Sequence, residues 1–323
     1  MAAILDTSAN LDDALARALD ELARGEPVAI PTETVYGLAA DATNPKAIAR
    51  IYEIKGRPRF NPLICHVADM EMAERYAEFS PLAVRLGKAF WPGPLTLVLP
   101  ARENGVHELA TAGLTTVGIR VPRSIAGELI ARYGKPLAAP SANTSGKISP
   151  TSAQHVADDL GSKLGVILDA GDCGVGVEST IIKVEGDRLI LLRPGGVAVE
   201  DIETATGCTV ERGADHAAAI EAPGMLASHY APGAAMRLAA DRVNAGEALI
   251  NFGGQAIDNA GEATFSFDLS PSGDLREAAA NLFSMMKQAD ATGAKTIAVA
   301  PIPMAGLGEA INDRLMRAAA PRP

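Results

Sequence analysis

The chain has 323 residues, 48% of them hydrophobic and 21% charged, with a formal net charge of -10. That length makes two domains the default, and that composition describes an ordinary globular protein. The acidic balance argues against tight non-specific nucleic-acid binding, and an aromatic content of only 4% argues against a base-stacking platform.

From Met1 to Asp13 there are acids and no apolar signal-like run, and no apolar stretch reaches membrane-spanning length. A soluble, cytoplasmic protein without membrane contact is expected. Residues 10–24 read as an amphipathic helix: Asn10 caps it, Leu11, Leu15, Leu19 and Leu22 recur at helical spacing, and Gly25 stops it. Val28 to Ile30 is a short buried strand running into Pro31-Thr32-Glu33-Thr34-Val35-Tyr36-Gly37-Leu38. Pro45 opens a helix striped by Ile48, Ile51 and Ile54.

Lys55-Gly56-Arg57-Pro58-Arg59-Phe60-Asn61-Pro62-Leu63 follows, with three cations in five residues of an acidic chain. Pro58 and Pro62 push Arg57 and Asn61 out of the α region, and an extended backbone would aim Lys55, Arg57 and Arg59 the same way. Such a face suits a polyanion, most simply a nucleoside triphosphate.

Pro62 to Val67 is the next strand, carrying His66, and helices are expected near 69–78 and 81–90. Leu95 to Leu99 and Val117 to Val121 are strands, the second bearing Arg120. Ser124 caps a helix to Tyr133, and the strand Leu137 to Ala139 stops at Pro140-Ser141-Ala142-Asn143. A helix starts at Thr151 or Ser152, Val166 to Leu168 is a strand, and Val177 to Val184 with Leu189 to Leu192 form a hairpin across Gly186-Asp187. Hairpins mixed with crossover helices predict an α/β domain with a twisted mixed sheet. From about 212 to 235 periodicity is lost and Ala, Gly and Pro accumulate, as in a linker. Beyond it, strand-like 247–252 and 295–301 bracket a helix at 274–291, and a final helix spans 306–319. This βα alternation predicts a small Rossmann-like domain over 236–323, beside the larger α/β domain over 1–211.

Simple active-site signatures fail. In Ser145-Gly146-Lys147-Ile148-Ser149, Ile148 stands where a P-loop needs Ser or Thr. No GxSxG elbow occurs, Cys65 projects to the opposite strand face from His66, and the scattered Cys65, Cys173 and Cys208 offer no CxxC pair. Asp169, Asp172 and Glu178 fit no metal-ligand spacing and read as turn and solvation residues. What remains is a set of small polar residues past strand ends: Thr32 and Thr34, Ser141 and Asn143, Ser179 and Thr180. Arg120 and Arg193 join them. Hydroxyls, amides and cations without a nucleophile–base pair describe a site that orients anions and stabilises charge.

Six ordered motifs then match a known family: Pro31 to Leu38, Lys55-Gly56-Arg57-Pro58, Trp91-Pro92-Gly93-Pro94-Leu95-Thr96, Gly118-Ile119-Arg120-Val121-Pro122, Ala139-Pro140-Ser141-Ala142-Asn143 and Glu178-Ser179-Thr180-Ile181. The chain resembles YrdC-like domains, and Ser228-His229-Tyr230-Ala231-Pro232 resembles the linker of their long, two-domain branch, the threonylcarbamoyl-AMP synthases. The resemblance implies a nucleotidyltransferase that makes threonylcarbamoyl-AMP and pyrophosphate from L-threonine, bicarbonate and ATP. That product serves N6-threonylcarbamoyladenosine formation at position 37 of tRNA, through a downstream tRNA threonylcarbamoyl transferase. By resemblance, Thr34, His66, Arg120, Ser141, Ser179 and Thr180 surround threonine. Lys55, Arg57, Asn61, Thr116, Asn143, Thr151, Arg193 and Tyr230 surround ATP, with magnesium bridging its phosphates and Lys55 and Arg57 as the catalytic pair. A weak RNA-binding role is the rival that the same resemblance carries.

Overall fold

The computed structural model describes residues 1–103, 105–212, 221–225 and 228–321, so part of the expected 212–235 linker lies outside the described residues. In chain order the first elements are β1 (Ala3–Asp6), α1 (Leu11–Ala23), β2 (Val28–Ile30), β3 (Gly37–Asp41), α2 (Pro45–Lys55) and β4 (Ile64–His66). Next come α3 (Met70–Glu74), α4 (Pro81–Phe90), β5 (Leu95–Pro100), α5 (Glu108–Thr111), β6 (Thr116–Arg120), α6 (Ile125–Tyr133) and β7 (Leu137–Ala138). Then follow α7 (Ala153–Leu160), β8 (Val166–Asp169), β9 (Thr180–Glu185), β10 (Arg188–Arg193), α8 (Val199–Thr206) and β11 (Val210–Arg212). The C-terminal elements are β12 (Ala235–Arg237), β13 (Ala248–Asn251), β14 (Ser266–Asp268), α9 (Leu275–Ala291), β15 (Thr296–Val299) and α10 (Leu307–Ala319).

β1 to β11 join in one mixed sheet of order β1-β8-β2-β3-β7-β4-β6-β5-β9-β10-β11. β4 runs parallel to β6 and β5 parallel to β9, whereas β5/β6 and β9/β10 are antiparallel. β12 to β15 form a separate parallel sheet of order β12-β15-β13-β14. The chain is therefore α/β, with a large twisted mixed sheet and a small parallel one.

The expected caps form: Asn10 accepts from Asp13 N, Ser124 from Ala126 N, and Ser152 from His155 N. Asn44 caps α2 ahead of Pro45, and Gly56 ends that helix at φ 60°. This end corrects the expected basic face. Lys55 is the last helical residue, and Gly56 turns the chain in the left-handed region that a side chain disfavours. Lys55 and Arg57 are buried while Arg59 is exposed to solvent. Strand β9 begins at Thr180 rather than Val177, leaving Glu178 and Ser179 in the segment that enters it. β1, β3, β11, β12, β14, α5 and α8 were not legible; β3 reads Gly-Leu-Ala-Ala-Asp, poor in the β-branched residues that mark strands.

Leu15, Leu22, Ile30, Leu38, Ile48 and Ile51 belong to the core of the large sheet. The second core, with Ile250, Leu282, Phe283, Met286, Val299 and Ile311, also takes in Val35, Ile148 and Val177 from the first part of the chain. Gly176 (φ 75°) lies so close to α9 that a Cβ there would overlap the Ala279 carbonyl oxygen and Ala280.

Candidate active site

The ends of β4 and β6 carry the first two groups. These strands pair in parallel with His66 opposite Arg120, so both side chains leave the sheet at one edge, where open α/β sheets collect ligands. Arg120 is buried and fixed on three sides. Its Nε donates to Gly93 O (3.1 Å) and its Nη1 to Thr34 Oγ1 (2.9 Å). Its Nη2 stands 2.8 Å from Glu33 Oε2 without alignment for a hydrogen bond. Thr34 is held in turn by the Thr32 hydroxyl (2.8 Å), which donates to Val35 O (2.7 Å). His66 Nδ1 is buried with no partner, and burial, with Arg120 beside it, depresses the imidazole to about 3. It is a neutral ring at working pH.

The opposite wall comes from the β9/β10 hairpin. Arg193, the last residue of β10, donates Nε and Nη2 to Ser179 O (3.2 and 2.9 Å) and Nη2 also to Ser179 Oγ (3.2 Å). The Ser179 hydroxyl also meets Thr96 Oγ1 at 2.8 Å. Glu178 accepts from Ser149 Oγ (2.6 Å) and from Arg314 Nε (2.8 Å). Burial would raise its carboxyl, but Arg314, Arg193 and Ser149 outweigh that and hold it down at about 2. Arg57 donates to Asn61 O (3.3 Å) and Pro62 O (3.0 Å), and burial lowers its guanidinium to about 10.

Pro223, Gly224, His229 and Tyr230 of the linker complete the wall. Arg193 Nη1 donates to Pro223 O (3.3 Å), and a Cβ on Gly224 would stand 2.8 Å from Arg193 Cδ. Tyr230 is buried at φ 61°, its ring stacked on Phe283 (5.4 Å between centroids) and 5.3 Å from the Arg314 guanidinium carbon. His229 N donates to Arg317 O (3.2 Å) and Ala231 N to Gly146 O (2.9 Å). Burial, with Arg57, Lys55 and Arg193 nearby, lowers the His229 imidazole to about 3 despite Glu178.

The cavity is small, about 50 Å³, and its wall includes Thr34, Arg57, His66, Arg120, Ser141, Ser179, Arg193 and Tyr230. Eight of the expected residues thus converge. Six do not line it. Lys55 lies behind the wall: its Nζ donates to Ser141 O and Asn143 O (2.6 Å each), and burial drives its ammonium well below the usual lysine range. Those two bonds hold the Ser141–Asn143 turn. Asn61 and Asn143 are buried, each with Oδ1 unpartnered. Thr151 contacts His155 Nδ1 (3.4 Å). Thr180 is spent on the fold, donating to Val197 O (2.6 Å) and accepting from Val197 N (3.0 Å). Thr116 starts β6 opposite Pro100, four residues from Arg120 and so about 13 Å away along the strand.

Glu178 corrects the sequence reading outright: it is a buried ion-paired carboxylate in the cavity wall, not a solvated turn residue. Its partner Arg314 is 136 positions away and carried no motif signal. Cys65 is buried on the opposite strand face, its thiol pushed up to about 12 by desolvation, so it is no nucleophile. Three arginines (Arg57, Arg120 and Arg193) around one neutralised carboxylate make a site for anionic ligands.

Comparison with known proteins agrees with this picture. The Sua5–YciO–YrdC family model, whose description reads "Telomere recombination", matches residues 20–195. A model described as the threonylcarbamoyl-AMP synthase C-terminal domain matches residues 197–320. The chain is 41% identical to the threonylcarbamoyl-AMP synthase of Bacillus subtilis, over 99% of this chain and 96% of that protein. Among solved structures, a variant of Pyrococcus abyssi Sua5 superposes with a TM-score of 0.89 at 38% identity, covering 99% of this chain and 96% of that one. P. abyssi Sua5 complexed with L-threonine superposes with a TM-score of 0.87 at 37% identity, covering 98% and 97%.

Proposed function

Since the chain belongs to the Sua5–YciO–YrdC family, in its two-domain threonylcarbamoyl-AMP synthase branch, we propose that it makes threonylcarbamoyl-AMP and pyrophosphate from L-threonine, bicarbonate and ATP. The observation that carries this reading is the cavity itself, where Arg57, Arg120 and Arg193 converge and, among the described residues, no nucleophile–base pair does.

The chemistry asks for alignment rather than a protein nucleophile. Threonine's amine captures CO2, released from bicarbonate with loss of water, and forms a carbamate. A carbamate oxygen then attacks the α-phosphorus of ATP, and the bond to the β-phosphate bridging oxygen breaks with pyrophosphate leaving. Arg120, already braced by Gly93 and Thr34, pairs with the threonine carboxylate through the Nη2 that lacks an aligned acceptor. Neutral His66 offers Nδ1 as an acceptor to threonine's polar hydrogens, and Ser141 and Ser179 border the same space. Arg57 and Arg193 neutralise phosphate charge as pyrophosphate departs.

Magnesium enters as part of the substrate, chelated by the triphosphate, a form that requires few protein carboxylates. Glu178 in the cavity wall is already engaged by Ser149 and Arg314. Tyr230 and the residues around Gly224 act as a lid that admits ATP and then shields a hydrolysable product from water. The product passes to a tRNA threonylcarbamoyl transferase in the cytoplasm; no helix among the described residues is long and apolar enough to cross a membrane.

Pyrophosphate release from ATP, with L-threonine and bicarbonate each omitted in turn, tests the reading. Release that requires both is expected. Release indifferent to threonine would overturn it.

A further inference from the structure

The only carboxylate in the cavity wall among the described residues is Glu178, and its counter-charge comes from the far end of the chain. Arg314 is 0% exposed, on α10. Its Nε donates to Glu178 Oε2 (2.8 Å), and its Nη1 to Pro194 O (2.9 Å) and Asp313 Oδ2 (2.7 Å). Nη2 has no hydrogen-bond partner, and the Tyr230 ring covers the guanidinium at 5.3 Å. Besides its neighbour Asp313, one side chain thus touches the carboxylate beside Ser179, the backbone just after Arg193, and the linker tyrosine.

We infer that Arg314 is a positioning residue of the active site, supplied by the C-terminal part of the chain: it neutralises Glu178 so that anions can enter, and it holds Tyr230 in the closed linker. The inference rests on the proposed reading of the cavity as an ATP and threonine site. Its physical basis is simple. A buried carboxylate stripped of its cation either repels an incoming anion or takes up a proton, and low dielectric strengthens the repulsion. Glu178 is faced by Arg314 from α10, Arg193 from β10, Lys55 from α2, and His229 and Tyr230 from the linker, while Asp313 stands on the other side of Arg314. Asp313 already serves Arg314 and Arg317. Lys55 donates to two carbonyls and Arg193 to Ser179, so neither replaces the Arg314 hydrogen bond to Glu178, and the Arg193 charge alone is left to offset the carboxylate when Arg314 is lost.

The test compares full-length wild type with Arg314→Met, Glu178→Gln and the double variant, by steady-state pyrophosphate release and by direct ATP binding, across pH 5.5 to 8.5. Arg314→Met should raise KM for ATP at least tenfold at neutral pH, and that KM should fall as the pH is lowered and Glu178 protonates. The double variant should return to within about threefold of Glu178→Gln and lose the pH dependence. A merely structural arginine would give neither the pH signature nor the rescue. An unchanged KM in Arg314→Met, or a double variant as impaired as Arg314→Met, would overturn the inference. Should Arg314→Met fail to fold, the double variant, with no buried charge left unpaired, decides alone: ATP binding within threefold of Glu178→Gln supports the inference, and weaker binding opposes it. Wild type that binds ATP yet releases no threonine-dependent pyrophosphate would count against the proposed reaction, and the ATP-binding comparison would still judge Arg314.

Discussion

Arg120 Nη1 donates to the Thr34 hydroxyl at 2.9 Å across 86 positions of sequence, so the turn after β2 and the end of β6 form one rigid corner of the cavity. Arg120→Lys keeps the charge but loses the planar fork. KM for L-threonine should rise by about 1.5–3 kcal/mol, roughly 10- to 150-fold, with KM for ATP much less affected. Pyrophosphate release titrated against each substrate separates the two.

Arg57 faces the same cavity from the end of α2 and already satisfies Asn61 O and Pro62 O. Arg57→Ala should weaken ATP use by about 1.5–3 kcal/mol, the loss of a charge-assisted phosphate contact. Unaltered ATP kinetics would remove Arg57 from the phosphate site.

Ser179 and Thr180 are neighbours with different duties. Ser179→Ala should alter kinetics, since its hydroxyl joins Arg193 and Thr96 at the cavity. Thr180→Val should instead cost about 1–3 kcal/mol of stability by stranding the Val197 backbone groups, with KM values little changed. Urea unfolding alongside kinetics checks both.

His66 and His229 are buried and neutral, each depressed to about 3. In the unfolded chain they take up protons below about 6.5 while the native state does not. Stability should therefore fall as the pH drops below 6.5 and go on falling toward 3, by up to about 1.4 kcal/mol per histidine per pH unit. Glu178, held at about 2, adds a loss only below its ordinary range near 4.5. A decline in urea midpoint that begins near pH 6, and is shallower in His229→Gln, is the expected result; a flat profile down to pH 5 would contradict it.

Gly224 sits at φ 86°, with Arg193 Cδ 2.8 Å and the Tyr230 hydroxyl 3.1 Å from where a Cβ would be. Gly224→Ala should displace the linker from the cavity and raise its susceptibility to limited proteolysis. Equal cleavage rates in wild type and variant would show that the linker tolerates the change.

Much of this site was legible because local rules wrote it. Caps at Asn10, Asn44, Ser124 and Ser152 mark helix starts, and Thr34, Arg120, Ser179 and Arg193 sit at strand ends that alternation and turn residues reveal. The Lys55–Arg59 stretch misled because its prolines suggested an extended chain, whereas Gly56 ended a helix and parted Lys55 from Arg59. Arg314 was invisible: nothing in a C-terminal helix says that one of its arginines answers a glutamate 136 positions earlier. Long-range charge pairing has no local signature, and Glu178 looked like a turn residue only because its partner could not be seen.

Gly176 sits where the cores of the two sheets meet. With the Ala279 and Ala280 backbone pressed against that glycine, and Val35, Ile148 and Val177 sunk into the core of the other sheet, the seam between the two halves is packed backbone to backbone, and any side chain added at that position would force them apart. Gly224 and Tyr230 belong to the cavity wall, so a ligand that enters past them displaces a few side chains and leaves the two packed cores together.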